Sequence, residues 1–310
     1  MTSPSKSLHP ALDDPWELAR AHPEEAVLAV LTDTHGPSYR DPGAALAILP
    51  DGSFAGAITS GCIEADLFAR AREVRATGRP QSLRYGAGSQ FFDLRLPCGG
   101  AVEIALFPLR DPDCLGALSV ARQDRRAVSL TLGPDYRLSL GPWRRTGNGP
   151  DGFTLGFRPP VRFLIFGTGP EATVFTDLVR SLNMDHLLCS RDAATLGVAA
   201  GLGCQIRHMD GQGTSHNIEI DSRTAAVLFF HDHDHELDIL RSLVSTSAFY
   251  IGALGSRRTQ ATRLDRLRNL AVSKSALERI RGPIGLIPSS RDPRSLAVSV
   301  LAEVMQLASL

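Results

Sequence analysis

The stretch VRFLIFGTGPEA, Val161 to Ala172, decides the fold of the second half of the chain. An apolar run, Val161 to Phe166, leads straight into Gly167-Thr168-Gly169-Pro170-Glu171-Ala172, a GxGxxA pattern set between a strand and a helix predicted from about residue 170 to 182. The first glycine permits a tight turn and the second lets the backbone approach a pyrophosphate. Ala172 is small enough for helix-on-strand packing, and the helix N-terminus offers N–H groups to an anion. Downstream, His186 to Cys189, Gln205 to His208, Ala225 to Phe230 and Ala248 to Gly252 read as strands alternating with helical segments, one of them after His235. Alternation of this kind predicts a doubly wound parallel sheet, a Rossmann-like domain.

A nicotinamide site on such a sheet carries an acid about 20 residues beyond the glycines to hold the ribose. Here that place reads Cys189-Ser190-Arg191, with Asp192 just beyond. Three readings stay open: Ser190 and Arg191 read the phosphate of NADP, Asp192 reaches back to the ribose, or the domain binds no NAD(P). An NAD(P)-dependent oxidoreductase is accordingly the rival reading of the chain.

Working back toward the N-terminus, residues 133 to about 160 are dense in Gly and Pro and read as a connection with two short strand-like pieces, Tyr136 to Leu140 and Phe153 to Phe157. The boundary falls at Pro159-Pro160, giving domains over 13–158 and 161–310. In the first, a helix capped near Asp13 runs to Ala21, and Ala26 to Leu31 forms a strand that ends in a turn-rich loop. Ala44 to Leu49 and Phe54 to Ile58 make a hairpin around Pro50-Asp51-Gly52. After Gly61, Ile63, Leu67, Ala71 and Val74 recur at helical spacing, which puts Cys62 at a helix start. Gln81 to Arg84 and Ala101 to Phe107 complete an α+β pattern.

With 310 residues, the chain is long enough for two packed domains of about 150 residues. Its 33 basic residues balance 33 acidic ones, so no electrostatic footprint for nucleic acid or anionic lipid is expected. Lys6 and Lys274 are the only lysines; the remaining basic residues are planar arginine forks. No run of about 18 apolar residues is present, and the N-terminus has no signal-peptide core. Five cysteines without a CxxC pair suit reduced thiols in the cytoplasm rather than a disulfide framework or structural zinc. Cys62, in Thr59-Ser60-Gly61-Cys62-Ile63-Glu64, and Cys98, in Pro97-Cys98-Gly99-Gly100, sit beside glycines where a thiol is reachable by a ligand. Cys114 and Cys204 read as packing residues.

Taken together, GPSYRDPGA (Gly36 to Ala44), DGSFAGAITSGCIEADL (Asp51 to Leu67), PCGG (Pro97 to Gly100), GTGPEA and FYIGALGSRR (Phe249 to Arg258) resemble, in the same order, the XdhC/CoxI family of xanthine dehydrogenase accessory proteins. The likeness runs from about Pro15 to Leu307. It implies an N-terminal XdhC/CoxI domain followed by a Rossmann-like domain, and a chaperone rather than a turnover enzyme. Such a protein would bind the molybdenum cofactor, as molybdopterin or its cytosine dinucleotide, support its sulfuration with a cysteine desulfurase, and insert it into an apo molybdenum hydroxylase such as xanthine dehydrogenase. A homodimer is also implied. On the matching positions, the resemblance makes Cys62 and Cys98, with Gly61, Glu64, Gly99 and Gly100, candidates for the molybdenum or sulfur end. Gly167, Gly169, Gly255, Ser256, Arg257 and Arg258 become candidates for the phosphate end. This chain departs from the family pattern at Ser60-Gly61, at Pro97, at Cys189-Ser190-Arg191 and at Gly285 to Ser290.

Three further groups complete the candidates. Ser38 and Arg40 lie in the loop after the first strand, where Arg40 could pair with an anion or simply belong to a turn. Arg191 could do the same in the second domain. His231-Asp232-His233-Asp234-His235 follows a strand and reads either as a solvated helix-capping loop or as a metal site, and the family resemblance makes His231 a candidate ligand contact.

Overall fold

In the computed structural model, residues 13–87, 99–209, 218–230 and 236–309 are described. Cys98 and His231 lie outside them. The chain divides into two compact units at Pro159/Pro160.

The first unit runs α1 (Pro15–Ala21), β1 (Val27–His35), β2 (Ala45–Ile48), β3 (Phe54–Gly56), α2 (Glu64–Thr77), β4 (Gln81–Gly86), β5 (Ala101–Pro108), α3 (Pro112–Gln123), β6 (Val128–Leu132), β7 (Leu138–Pro142), β8 (Gly147–Gly149) and β9 (Gly152–Phe157). Five strands form an antiparallel sheet in the order β3-β2-β1-β5-β4. Central β1 is buried on both faces: Val27, Ala29 and Leu31 join the core under α2, while Leu28 and Val30 join the core that holds Trp16 of α1. Helix α1 starts where Asp14 accepts the Trp16 and Glu17 amides, with Pro15 at its first turn. Helix α2 buries Leu67, Ala71 and Val74 and stops at Gly78, a left-handed cap at φ +64°.

Pairing with β5 carries β1 four residues past the strand end expected at Leu31, through polar Thr32 to His35. One irregularity lies in this ladder: Leu31 pairs with Ile104 and Asp33 with Glu103, leaving Thr32 as an extra residue. Its hydroxyl donates to the Glu103 carbonyl at 3.2 Å.

The Gly/Pro-dense stretch, expected at the end of the first domain as a connection with two strand-like pieces, folds as a sheet of the first unit. Strands β7-β6-β9-β8 form a four-stranded antiparallel sheet whose Leu130, Leu132, Phe153 and Leu155 pack into the same core as Trp16 and Phe107. Helix α3, for which the sequence reading had no counterpart, packs Leu115, Leu118 and Ala121 there too.

The second unit runs β10 (Arg162–Gly167), α4 (Gly169–Ser181), β11 (Asp185–Ser190), α5 (Ala193–Gly201), β12 (Ile206–His208), β13 (Thr224–Phe229), α6 (Glu236–Leu243), β14 (Tyr250–Ala253), α7 (Arg257–Asn269), α8 (Lys274–Leu277), β15 (Ile280–Arg281) and α9 (Pro293–Ala308). All six strands are parallel, in the order β12-β11-β10-β13-β14-β15. This is the doubly wound sheet that the alternation predicts. Phe163, Phe175 and Phe229 stack in its core at centroid separations of 5.7 and 5.2 Å. Leu296, Val300 and Val304 dock α9 against the same core. Among the described residues, no helix is long and apolar enough to cross a membrane.

A buried ion pair ties α6 to α7. Arg263 and Glu236 side chains are each 1% exposed, with Nε–Oε1 at 2.6 Å and Nη2–Oε2 at 3.2 Å. Arg263 also donates to Gln260 Oε1 and to the Leu254 carbonyl, and Gln260 passes the chain on to the Ile280 carbonyl. Removing one partner leaves the other charged and buried, which costs about 3–5 kcal/mol, whereas an apolar pair of similar volume avoids that penalty. Glu236→Ala is therefore expected to lower the thermal midpoint sharply, and Glu236→Leu combined with Arg263→Met to recover much of it. A double variant no better than the single one, measured calorimetrically, contradicts this account.

Candidate functional site

Strand register gathers the N-terminal candidates at one end of the five-stranded sheet. His35 at the end of β1 lies opposite Ala101 at the start of β5, Gly86 at the end of β4 is also opposite Ala101, and Gly56 at the end of β3 is opposite Leu46 near the start of β2. The chain thus leaves β1 after His35, β3 after Gly56 and β4 after Gly86, and enters β5 at Ala101, all at the same end of the sheet. Gly100 packs against the chain at His35 and Pro37. A Cβ there would lie 2.1 Å from the Pro37 carbonyl oxygen, so no side chain fits. Gly99, beside it, is exposed at φ +75°.

Cys62 sits one residue before the Ile63 N-cap of α2, in the loop rather than in the helix. It is half-buried against the core that contains Ile63 and Leu67. A ring of hydrogen bonds shapes this loop. Glu64 Oε1 accepts the Thr59 amide at 2.7 Å, and its Oε2 accepts the Thr59 hydroxyl at 2.6 Å and the Ile63 amide at 3.2 Å. The Cys62 amide donates to Thr59 Oγ1 at 3.1 Å. Glu64, expected to touch the ligand, is therefore engaged in holding the loop that carries Cys62. Gly61 turns that loop at φ +100° with open space where a side chain would stand.

The other first-unit candidates separate from Cys62. Ser38 spends its hydroxyl on the Arg40 carbonyl at 2.8 Å, a local turn bond. Arg40 lines a shallow depression of about 370 Å³ with Asp13, Asp14, Trp16 and Arg122, on the α1 side of the sheet, whereas Cys62 packs on the α2 side. The sequence reading missed a cluster at the same sheet end: His35 Nε2 stands 3.2 Å from Glu103 and 3.7 Å from Asp33. Arg84 Nη1 lies 2.8 Å from Glu103 and completes the cluster as a cation. Only cross-strand register brings these residues together, so no local motif announces them.

The glycine turn of the second unit has the fold that its sequence predicts, and the Thr168 and Gly169 amides are engaged within the chain. Gly167 has no room for a side chain, since a Cβ would lie 2.3 Å from the Phe229 carbonyl oxygen. The Thr168 amide donates to that same carbonyl at 3.2 Å, and the Gly169 amide donates to Thr195 Oγ1 at 2.9 Å. Pro170 has no N–H, and a Glu171 carboxylate oxygen comes within 3.7 Å of where a Gly169 Cβ would stand. Gly167 and Gly169 thus form the turn without presenting the anion cradle expected of them.

The ribose end is equally occupied. Asp192 caps α5, accepting the Thr195 amide at 2.8 Å and its hydroxyl, and these bonds hold its carboxyl below the usual aspartate range. Ser190 is buried, and its Oγ accepts the Asp192 amide at 3.1 Å. Arg191 is half-buried with its own contacts. Farther along, Ser256 caps α7 by accepting the Thr259 amide, Arg257 is exposed, and Arg258 lines a cleft between α6 and α7.

The family model described as the XdhC and CoxI family matches residues 19–86, and that of the XdhC Rossmann domain matches 163–304. The molybdenum cofactor insertion chaperone PaoD of Escherichia coli K12 is 36% identical over 90% of this chain and 82% of its own length. The chain belongs to the XdhC and CoxI family. A Bacillus subtilis protein named as a probable subunit of xanthine dehydrogenase is 23% identical over 91% of this chain and 93% of its own. A solved structure titled as a xanthine dehydrogenase from Bacillus halodurans has the same fold, with a TM-score of 0.75 at 19% identity, covering 95% and 94% of the two chains.

Within this XdhC and CoxI family chain, the described cysteines are all free thiols but differ in environment. Burial pushes Cys189 up to about 12 and Cys114 up to about 11, and it raises Cys204 as well. At pH 8 a thiol at 11 is thiolate in roughly one molecule in a thousand. Cys62 is therefore expected to be alkylated before Cys114, Cys189 or Cys204 when the folded protein is labelled and mapped by mass spectrometry; earlier labelling of Cys189 would contradict the geometry. The occupied glycine turn predicts in addition that NADH and NADPH fail to bind at micromolar concentration in fluorescence titrations, and saturable micromolar binding of either would overturn that reading.

Proposed function

We propose that this chain is a molybdenum-cofactor chaperone that holds the cofactor and delivers it to an apo molybdenum hydroxylase. The observation that carries this reading is a half-buried free thiol, Cys62, held on a hydrogen-bonded loop in a family member 36% identical to an insertion chaperone. Soft thiolates suit molybdenum and sulfur better than hard cations. Cys62 faces the metal and sulfur end of the cargo, and Cys98 of the Pro97-Cys98-Gly99-Gly100 sequence is the second thiol. Glu64 and Thr59 keep the Cys62 backbone in one conformation, so little ordering is required when cargo arrives. No general acid, base or nucleophile with a turnover role is invoked: the chain captures, shields and releases. Its sulfido ligand is supplied by a partner cysteine desulfurase, and the acceptor is a xanthine dehydrogenase or a relative. The cargo is molybdopterin or its cytosine dinucleotide, the site of work is the cytoplasm, and the working form is a homodimer.

The test uses the full chain made in a host that synthesises the cofactor. The purified protein is expected to carry a pterin, released and read as its fluorescent oxidation product, and Cys62→Ser is expected to cut that content at least about tenfold, a loss of about 1.4 kcal/mol in holding free energy. A pterin-free protein that also fails to take up added cofactor would sink the proposal.

A further inference from the structure

The cluster where β1 ends and β5 begins has no part in the function proposed above. Asp33, His35 and Glu103 project from one face of the sheet, because Asp33 and His35 are two residues apart on β1 and Asp33 stands directly opposite Glu103 on β5. Two carboxylates placed directly across an antiparallel pair repel each other. Arg84, opposite Glu103 on β4, answers part of that charge: its Nη1 lies 2.8 Å from Glu103 Oε1, but two carboxylates against one guanidinium leave the group net negative. Asp33 Oδ1 accepts the Thr34 amide at 2.8 Å. Its Oδ2 has no hydrogen-bond donor among the described residues and stands 3.7 Å from His35 Nε2, too far for a hydrogen bond. His35 Nε2 is in turn 3.2 Å from Glu103 Oε1.

We infer that Asp33, His35 and Glu103 form a site for a divalent transition-metal ion, with Zn²⁺ the best match. Each residue offers one ligand atom, and the three atoms lie within 4.8 Å of one another. Zinc bonds of about 2.0–2.2 Å in tetrahedral geometry put neighbouring ligand atoms about 3.3–3.6 Å apart. The two separations from His35 Nε2, 3.2 and 3.7 Å, bracket that spacing. An imidazole among the donors favours zinc and its transition-metal neighbours over calcium and magnesium, which take oxygen. Three protein ligands leave a fourth position for water, and all three side chains are partly exposed, so an ion reaches them from solvent. Arg84 is the competitor for Glu103. Exposed ion pairs of that kind contribute little to stability, so an incoming ion displaces the guanidinium at small cost. Bound there, the ion clips the end of β1 to the start of β5 and stabilises the folded chain by mass action. The site stands or falls independently of the chaperone reading.

The experiment titrates the full chain, its accessible thiols first alkylated so that they do not compete for metal, with Zn²⁺ by isothermal calorimetry, and follows the thermal midpoint in parallel. Wild type is expected to take up one ion with micromolar affinity and to melt higher with Zn²⁺ than without. Binding is expected to weaken at least tenfold in His35→Ala and in Asp33→Asn, and the rise in midpoint to disappear with it. Arg84→Gln, which removes the competing cation, is expected to bind at least as tightly as wild type. His233→Ala, in the histidine-rich segment of the second unit, is expected to bind as wild type does. No saturable uptake by wild type overturns the inference, as does uptake that survives His35→Ala or is lost in His233→Ala. Should His35→Ala or Asp33→Asn fail to fold, Arg84→Gln decides, and weaker binding by that variant counts against the site.

Discussion

Strands β1 and β5 are paired from Val27 opposite Pro108 to His35 opposite Ala101, and the first unit is built around that ladder. Because β1 is covered on both faces, its alternating side chains divide the unit into a core under α2 and a core shared by α1 and the four-stranded sheet. Sliding the ladder by one residue would exchange the two sets of side chains, so burial on both sides fixes the register strongly. With the register fixed, the loops after β1, after β3 and before β5 must emerge together. Cys62, which follows β3, and Gly99-Gly100, which precede β5, are placed at the same end of the sheet for that reason.

Legibility followed the range of the interactions involved. The β10 strand, glycine turn and α4 could be read directly, because a short apolar run, two glycines and a helical stripe are all local signals. The buried face of α2 and the β2–β3 hairpin were equally plain. Strands β7 and β9 were read as strand-like pieces, but β6 and β8 were not, because strands of five and three residues among Gly and Pro look like a linker until their partners are known. Helix α3, five of whose twelve residues are Gly, Ser, Pro, Asp or Cys, was hidden by its weak propensity.

At the candidate sites the same distinction holds. That Gly169 would face a hydroxyl 26 residues away could not be read from a GxGxxA string, which specifies backbone shape and says nothing about who claims the donors. Glu64 showed a related limit: an acid beside a cysteine suggests a ligand contact, whereas three short bonds commit it to the loop. Of the five cysteines, context alone separated Cys62 and Cys98 from Cys114 and Cys204, and burial explains why: a thiol in a packed core is a small hydrophobe with a suppressed thiolate.

The extra residue at Thr32 has a consequence for the thiol end of the sheet. Directly paired residues of an antiparallel sheet share a face, so Asp33 stands on the same side as Glu103, the side of Ala105 and Phe107 rather than of Val102 and Ile104. Had β1 continued without the bulge, Asp33 would have followed Val27, Ala29 and Leu31 onto the face covered by α2, where Cys62 is packed. The bulge works as a sorting step. It sends the carboxylates to the side where Arg84 meets them and leaves the cysteine's side apolar, so an electron-rich cargo approaching that face meets no fixed negative charge from the central strand.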